Sequence, residues 1–134
     1  MSSRKFWKIV FLIVGGINVL GTLPGILYPQ TGLSEFTGTI TSEFYSLFLF
    51  RSLWIVVLLF GLGYLLVAFN PSKNHGLLVI GGIGKLIFAL HLLWAYSSHS
   101  FSTMALMTGI MDLVWVIIFS IFLFLYYQTR QLAF

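Results

Sequence analysis

Phe44–Phe69, which reads FYSLFLFRSLWIVVLLFGLGYLLVAF, holds one charged side chain, Arg51, in a run otherwise built from aliphatic, aromatic and small residues. An apolar run of about 18 residues or more is long enough to cross about 30 Å of hydrocarbon as a helix and too long for a strand. Three further runs of the same kind lie outward from it, Phe6 to Tyr28 before and Gly76 to Tyr96 and Met104 to Tyr127 after. The expected fold class is therefore all-α: an integral membrane four-helix bundle forming a single transmembrane domain over residues 1–134.

Composition agrees. Of the 134 residues 59% are hydrophobic and only 7% charged, where a soluble domain carries about 25% charged residues. This excludes a soluble nucleotide-binding fold, a zinc module and a large extramembrane catalytic domain. The net charge is +4, but the basic residues are few and sit at helix ends rather than in a patch, so nucleic acid is not an expected partner. The absence of cysteine removes disulfides, thiolate metal sites and thiol redox chemistry from consideration. No nucleophile elbow, phosphate-cradling glycine loop, zincin helix or pair of catalytic carboxylates is present, so neither a catalytic set nor a cofactor is expected. The 13 glycines are dispersed and read as helix-packing residues.

Asn70-Pro71-Ser72-Lys73-Asn74-His75-Gly76 is a dense breaker cluster and reads as the second turn, while Ser97 to Ser102 offers caps for the fourth helix. The first connection, Pro29 to Glu43, is longer and rich in Thr and Gly. It reads either as a cover over one end of the bundle or as a plain surface loop. Arg4, Lys5 and Lys8 ahead of an apolar run resemble the start of a signal peptide, but no small-residue cleavage site follows and the run is too long, so it is taken as a retained first helix. With four spans, Arg4, Lys5, Lys8, Lys73 and Arg130 share one side and Glu35 and Glu43 the other. Lys and Arg accumulate on the cytoplasmic side, so both termini are expected there. Trp7, Tyr28, Tyr45, Trp94, Tyr96, Tyr126 and Tyr127 fall where interfacial belts would lie.

The two halves echo each other. Gly15-Gly16-Ile17-Asn18 in the first helix parallels Gly81-Gly82-Ile83-Gly84-Lys85 in the third, and a charged residue stands three before a tryptophan in both inward-running helices, Arg51 to Trp54 and Asp112 to Trp115. A tandem pair of helical hairpins related by a pseudo-two-fold axis would produce this pattern.

Charged groups within a span cost roughly 2.5 to 3.5 kcal/mol on insertion scales, so each needs a partner or a purpose. At about 1.5 Å of rise per residue, Asn18, Arg51, Lys85 and Asp112 fall in one slab toward the outer half of the membrane, one from each helix. These four are the candidate ligand-binding residues. Asn18, Gly21, Thr22 and Gly25 form one stripe; Gly81, Lys85, Phe88 and Leu92 share a second helix face, and Thr108, Asp112, Trp115 and Phe119 a third. Pro24 predicts a kink beside the first stripe. A purely structural alternative pairs Lys85 with Asp112 and lets Arg51 snorkel toward Glu43. His91 lies about 120° around the helix from Lys85, and His75 and His99 belong to opposite sides, so no metal site is expected.

Phe50-Arg51, Gly61-x-Gly63-Tyr64, Gly81-x-x-Gly84-Lys85 and Gly109-x-x-Asp112-Leu113 together resemble the DoxX-like group of small four-helix bacterial membrane proteins, over Phe50 to Phe124. The resemblance implies a multi-pass protein of the bacterial inner (plasma) membrane, some relatives being accessory subunits of redox or quinone-linked systems. The cysteine motifs of some redox relatives are missing, so no thiol role carries over. A more distant likeness is to the four-helix sterol isomerases, whose intramembrane acids do acid–base work.

The function expected from these readings is non-enzymatic: binding or helping to move a small amphipathic or anionic ligand, or serving as a membrane accessory subunit, through the outer-half polar cluster. The alternative is a small membrane enzyme acting on a lipid-soluble substrate with Asp112 or His91 as acid or base. Expected partners are membrane lipid, such a ligand, and a second copy of the chain or a membrane partner protein.

Overall fold

The computed structural model describes residues 3–129, which form α1 (Ser3–Leu27), α2 (Pro29–Thr37), α3 (Phe44–Phe69), α4 (Pro71–Ser97) and α5 (Thr103–Thr129), with no strand among them. Four of these helices, α1, α3, α4 and α5, are long and apolar enough to cross a membrane. The chain is thus an all-α, multi-pass membrane protein.

The bounds of α3 coincide with the quoted run. Those of α4 do not, because the cluster taken for a turn is in large part a helix start. Asn70 caps both helices: its N–H donates to the Leu66 carbonyl at 3.1 Å, closing α3, and its side-chain oxygen accepts from the Lys73 N–H at 3.2 Å, opening α4. Pro71 then occupies the first helical position, where its missing N–H is no loss.

The first connection is a cover. Its sequence PQTGLSEFT forms α2, started by Pro29 and ended at Gly38, whose φ of 72° is the left-handed cap that glycine adopts without strain. Phe36 packs its ring 5.9 Å from Phe50 and 5.7 Å from Trp54. Ser102, in the loop before α5, donates its N–H to the Phe36 carbonyl at 2.7 Å and its hydroxyl to the Glu35 carbonyl. These bonds fasten α2 across the end of the bundle.

The helices pair mainly as α1 with α3 and α4 with α5, the two hairpins expected. Gly15 and Gly61 let α1 and α3 approach closely: a Cβ on Gly61 would lie 2.9 Å from Cβ of Asn18 and 3.0 Å from the backbone nitrogen of Val19. Such small-residue contacts suit helices that gain nothing from hydrophobic exclusion in lipid. Away from α2, aromatic rings join the pairs. Phe11 meets Phe122 edge-to-face at 4.9 Å, Trp7 meets Phe122 at 5.0 Å, and Tyr64 meets Phe119 at 5.0 Å. Trp7, expected in an interfacial belt, is buried in this core; its ring fills space between α1 and α5 rather than facing headgroups. Arg4, Lys5, Lys8 and Lys73 stand at this basic end, where the Lys8 ammonium lies 5.4 Å from the centre of the Phe69 ring. Arg130 lies outside the described residues.

Candidate functional site

Toward α2 the two hairpins border a cavity of about 520 Å³, within the range of about 300 to 1,000 Å³ typical of small-molecule pockets. Each helix supplies a face that its sequence periodicity marks out. From α1 come Asn18, Gly21, Thr22 and Gly25, the stripe at i, i+3, i+4 and i+7. From α4 come Gly81, Lys85 and Phe88, and from α5 Thr108, Asp112 and Trp115. Leu92 and Phe119, the outermost members of the last two faces, are buried in the cores on either side of the cavity.

Three of the four candidate residues meet. The Lys85 ammonium donates to Oδ1 of Asp112 at 2.5 Å and to Oδ1 of Asn18 at 3.3 Å, and Nδ2 of Asn18 donates to the Val14 carbonyl at 2.8 Å. The pair is 11% exposed on each side chain, largely buried yet still touching the cavity. Attraction between opposite charges is far stronger in such a medium than in water, and losing one partner would leave the other charge stranded. The two lining threonines are satisfied within their own helices, Thr22 donating to the Val19 carbonyl and Thr108 to the Met104 carbonyl.

Arg51 does not join them. It is exposed on α3, does not line the cavity, and makes no hydrogen bond or ion pair among the described residues. The lining face of α3 runs through Phe50, Trp54, Val57 and Tyr64; Arg51 is one residue past Phe50 and so turned about 100° away from it. Its exposed position fits a side chain snorkelling along the outside, without the Glu43 contact: Glu43 instead accepts from the N–H groups of Tyr45 at 3.1 Å and Ser46 at 2.8 Å at the start of α3. The echo of Arg51 with Asp112 therefore holds in sequence and fails in space. His91 is exposed, with Nδ1 bonded to the Ile87 carbonyl of its own helix at 2.8 Å, and it is absent from the cavity lining.

The walls were anticipated only at Phe88 and Trp115, which share the faces of Lys85 and Asp112. Phe36, Phe50, Trp54, Tyr64, Phe88 and Trp115 present aromatic surface, and Met104, Met107 and Met111 add flexible thioethers. The signal was present for the two tryptophans, each three residues beyond a charged residue and so near it on the helix surface. Both indole N–H groups are buried without an acceptor, so it is ring surface that the tryptophans offer the cavity. One further charge, Glu35 of α2, stands at the covered end. Several lining residues, among them Ile17, Leu53, Val56 and Met111, are exposed on the outer flanks of the spans. The cavity thus communicates sideways with the zone that hydrocarbon occupies. No family model, no curated protein and no solved structure matches the chain.

Proposed function

We propose that this chain is a membrane-embedded binding protein for a small lipid-soluble amphipath, whose apolar body lies against the aromatic and methionine walls and whose polar end meets Asn18, Lys85 and Asp112. The observation that carries this reading is the cavity itself: apolar on nearly all sides, with one concentrated polar patch and flanks open toward lipid. The anionic ligand loses support because Arg51, the surplus positive charge, is outside. An acid–base enzyme loses support because His91 faces away and Asp112 is engaged by Lys85. The gathering of Arg4, Lys5, Lys8 and Lys73 at one end supports cytoplasmic termini, and the glycine motifs keep the DoxX-like bacterial inner-membrane assignment, with an accessory role beside a partner protein, as part of the same proposal.

The test is native mass spectrometry of the full chain released from its membrane in mild detergent, compared with Gly84→Phe. Gly84 lines the cavity and a Cβ there meets nothing within 4 Å, so a side chain can start there without a clash and a ring is added at the cavity wall. A small lipid-soluble molecule held by the wild type and absent from the variant is expected. Identical bound species in both would overturn the reading.

A further inference from the structure

We infer that the cavity selects an uncharged head group carrying a hydrogen-bond donor and an acceptor side by side, an alcohol being the simplest; this deepens the amphipath-binding reading and rests on it. A lysine ammonium has three N–H donors. Two are used, on Asp112 and Asn18, and one remains. Asp112 receives its bond on Oδ1, while Oδ2 accepts none among the described residues and is not sealed away from the cavity. One free donor and one free acceptor therefore stand on adjacent, bonded side chains. A hydroxyl fits both, its oxygen accepting from Lys85 and its proton pointing to Asp112.

Charge argues the same way. Lys85 and Asp112 neutralise each other, so a charged head beside the pair would enter a desolvated space with no net counter-charge there, which is costly. An anion would also approach Glu35 at the covered end and the free carboxylate oxygen of Asp112, and a cation, drawn by Glu35, would still press against the Lys85 ammonium at the polar patch. A neutral head group meets neither repulsion.

The experiment uses the full chain in lipid nanodiscs and a chain-matched series with a terminal bromine: bromodecanol, bromodecyl sulfate, bromodecyltrimethylammonium and bromodecane. Bromine quenches tryptophan on contact, and Trp54 and Trp115 line the cavity. Partition into bilayer gives a linear background, so the saturable part of the quenching reports the site. The alcohol is expected to bind about tenfold more tightly than the headless bromodecane, the worth of two modest hydrogen bonds, and more tightly than either ion. The double variant Lys85→Met with Asp112→Leu removes both charges together and keeps the interior neutral, so it tolerates folding better than either single change. In it the alcohol is expected to fall to the level of bromodecane. Tightest binding of the sulfate or the ammonium compound would overturn the head-group inference and leave the binding function standing, as would an alcohol preference that survives in the double variant. Absence of saturable quenching with all four probes would overturn both.

Discussion

The two halves of the bundle use the same residue types to opposite ends. At the basic end, Trp7, Phe11, Tyr64, Phe119 and Phe122 interlock and leave little room between the hairpins. Toward α2, Phe36, Phe50, Trp54 and Phe88 stand around a space instead of filling it. The difference lies in what α1 contributes. At the basic end Phe11 of α1 meets Phe119 and Phe122 of α5. At the other end the rings of Phe36, Phe50 and Trp54 meet one another, while α1 lines the cavity with Gly21, Thr22 and Gly25 and supplies no aromatic ring. A buried ion pair sits between the two regimes and holds α4 to α5 at the height where the filling stops.

The largest effect is expected at that boundary. Asp112→Ala leaves Lys85 buried and unpaired, and should cost about 3 to 5 kcal/mol, read as loss of folded yield and of the thermal midpoint in detergent. The double variant lacking both charges should recover most of it. Next, Phe122→Ala and Phe88→Ala make the same deletion in the two halves. Phe122 is fully buried, and its loss should cost about 3 kcal/mol. Phe88 borders space that already exists, so its loss should cost under about 1 kcal/mol. Equal losses in a denaturation series would erase the distinction between a filled and a hollow half.

A smaller effect is expected at the cover. Ser102→Ala removes the hydroxyl bond to the Glu35 carbonyl but keeps the N–H bond to Phe36, so about 1 kcal/mol should be lost. The same hydroxyl accepts the Met104 N–H at 3.2 Å, so faster hydrogen exchange in α2 and the first turn of α5, with the basic end unaffected, would show it. The smallest effect belongs to Glu43, whose carboxyl is held below its ordinary value of 4.5 first by the Ser46 hydroxyl and then by the Ser46 N–H. A carboxylate with a lowered folded pKa stabilises the fold above its ordinary pKa, and that contribution is lost as pH falls through the lowered value. The thermal midpoint of Glu43→Gln should lack this acid-side decline, seen by comparing about pH 6 with about pH 3.

Much of this arrangement was legible in the residues. Depth could be counted along each span, and the i, i+3, i+4 rule assigned Asn18, Lys85 and Asp112 to stripes that do converge. Direction was harder for Arg51, since the echo with Asp112 fixed its depth but not the side of α3 on which it lies. Only the neighbouring run of Phe50, Trp54 and Val57 marks the inner face. α2 escaped because its nine residues hold two turn signals, Pro29 and Gly32, and few apolar side chains, and so show no clear period. It is helical because Phe36 finds Phe50 and Trp54, a tertiary reason that no local window contains. The early start of α4 was hidden for a related reason: Asn-Pro signals a turn and a helix start equally well.

The contacts that finish the hollow half join distant parts of the chain. Ser102 to Glu35 and Lys85 to Asn18 each span 67 residues. Synthesis runs from the N-terminus, and α1 to α3 emerge well before either partner exists. Asn18 therefore enters the membrane without Lys85, and α2 is made long before the loop that anchors it. The polar patch begins with Lys85 of the third span, the fastening comes with the approach to the fourth, and Asp112 arrives only in the fourth itself, which makes completion of the cavity the closing event of assembly rather than a property of the first hairpin.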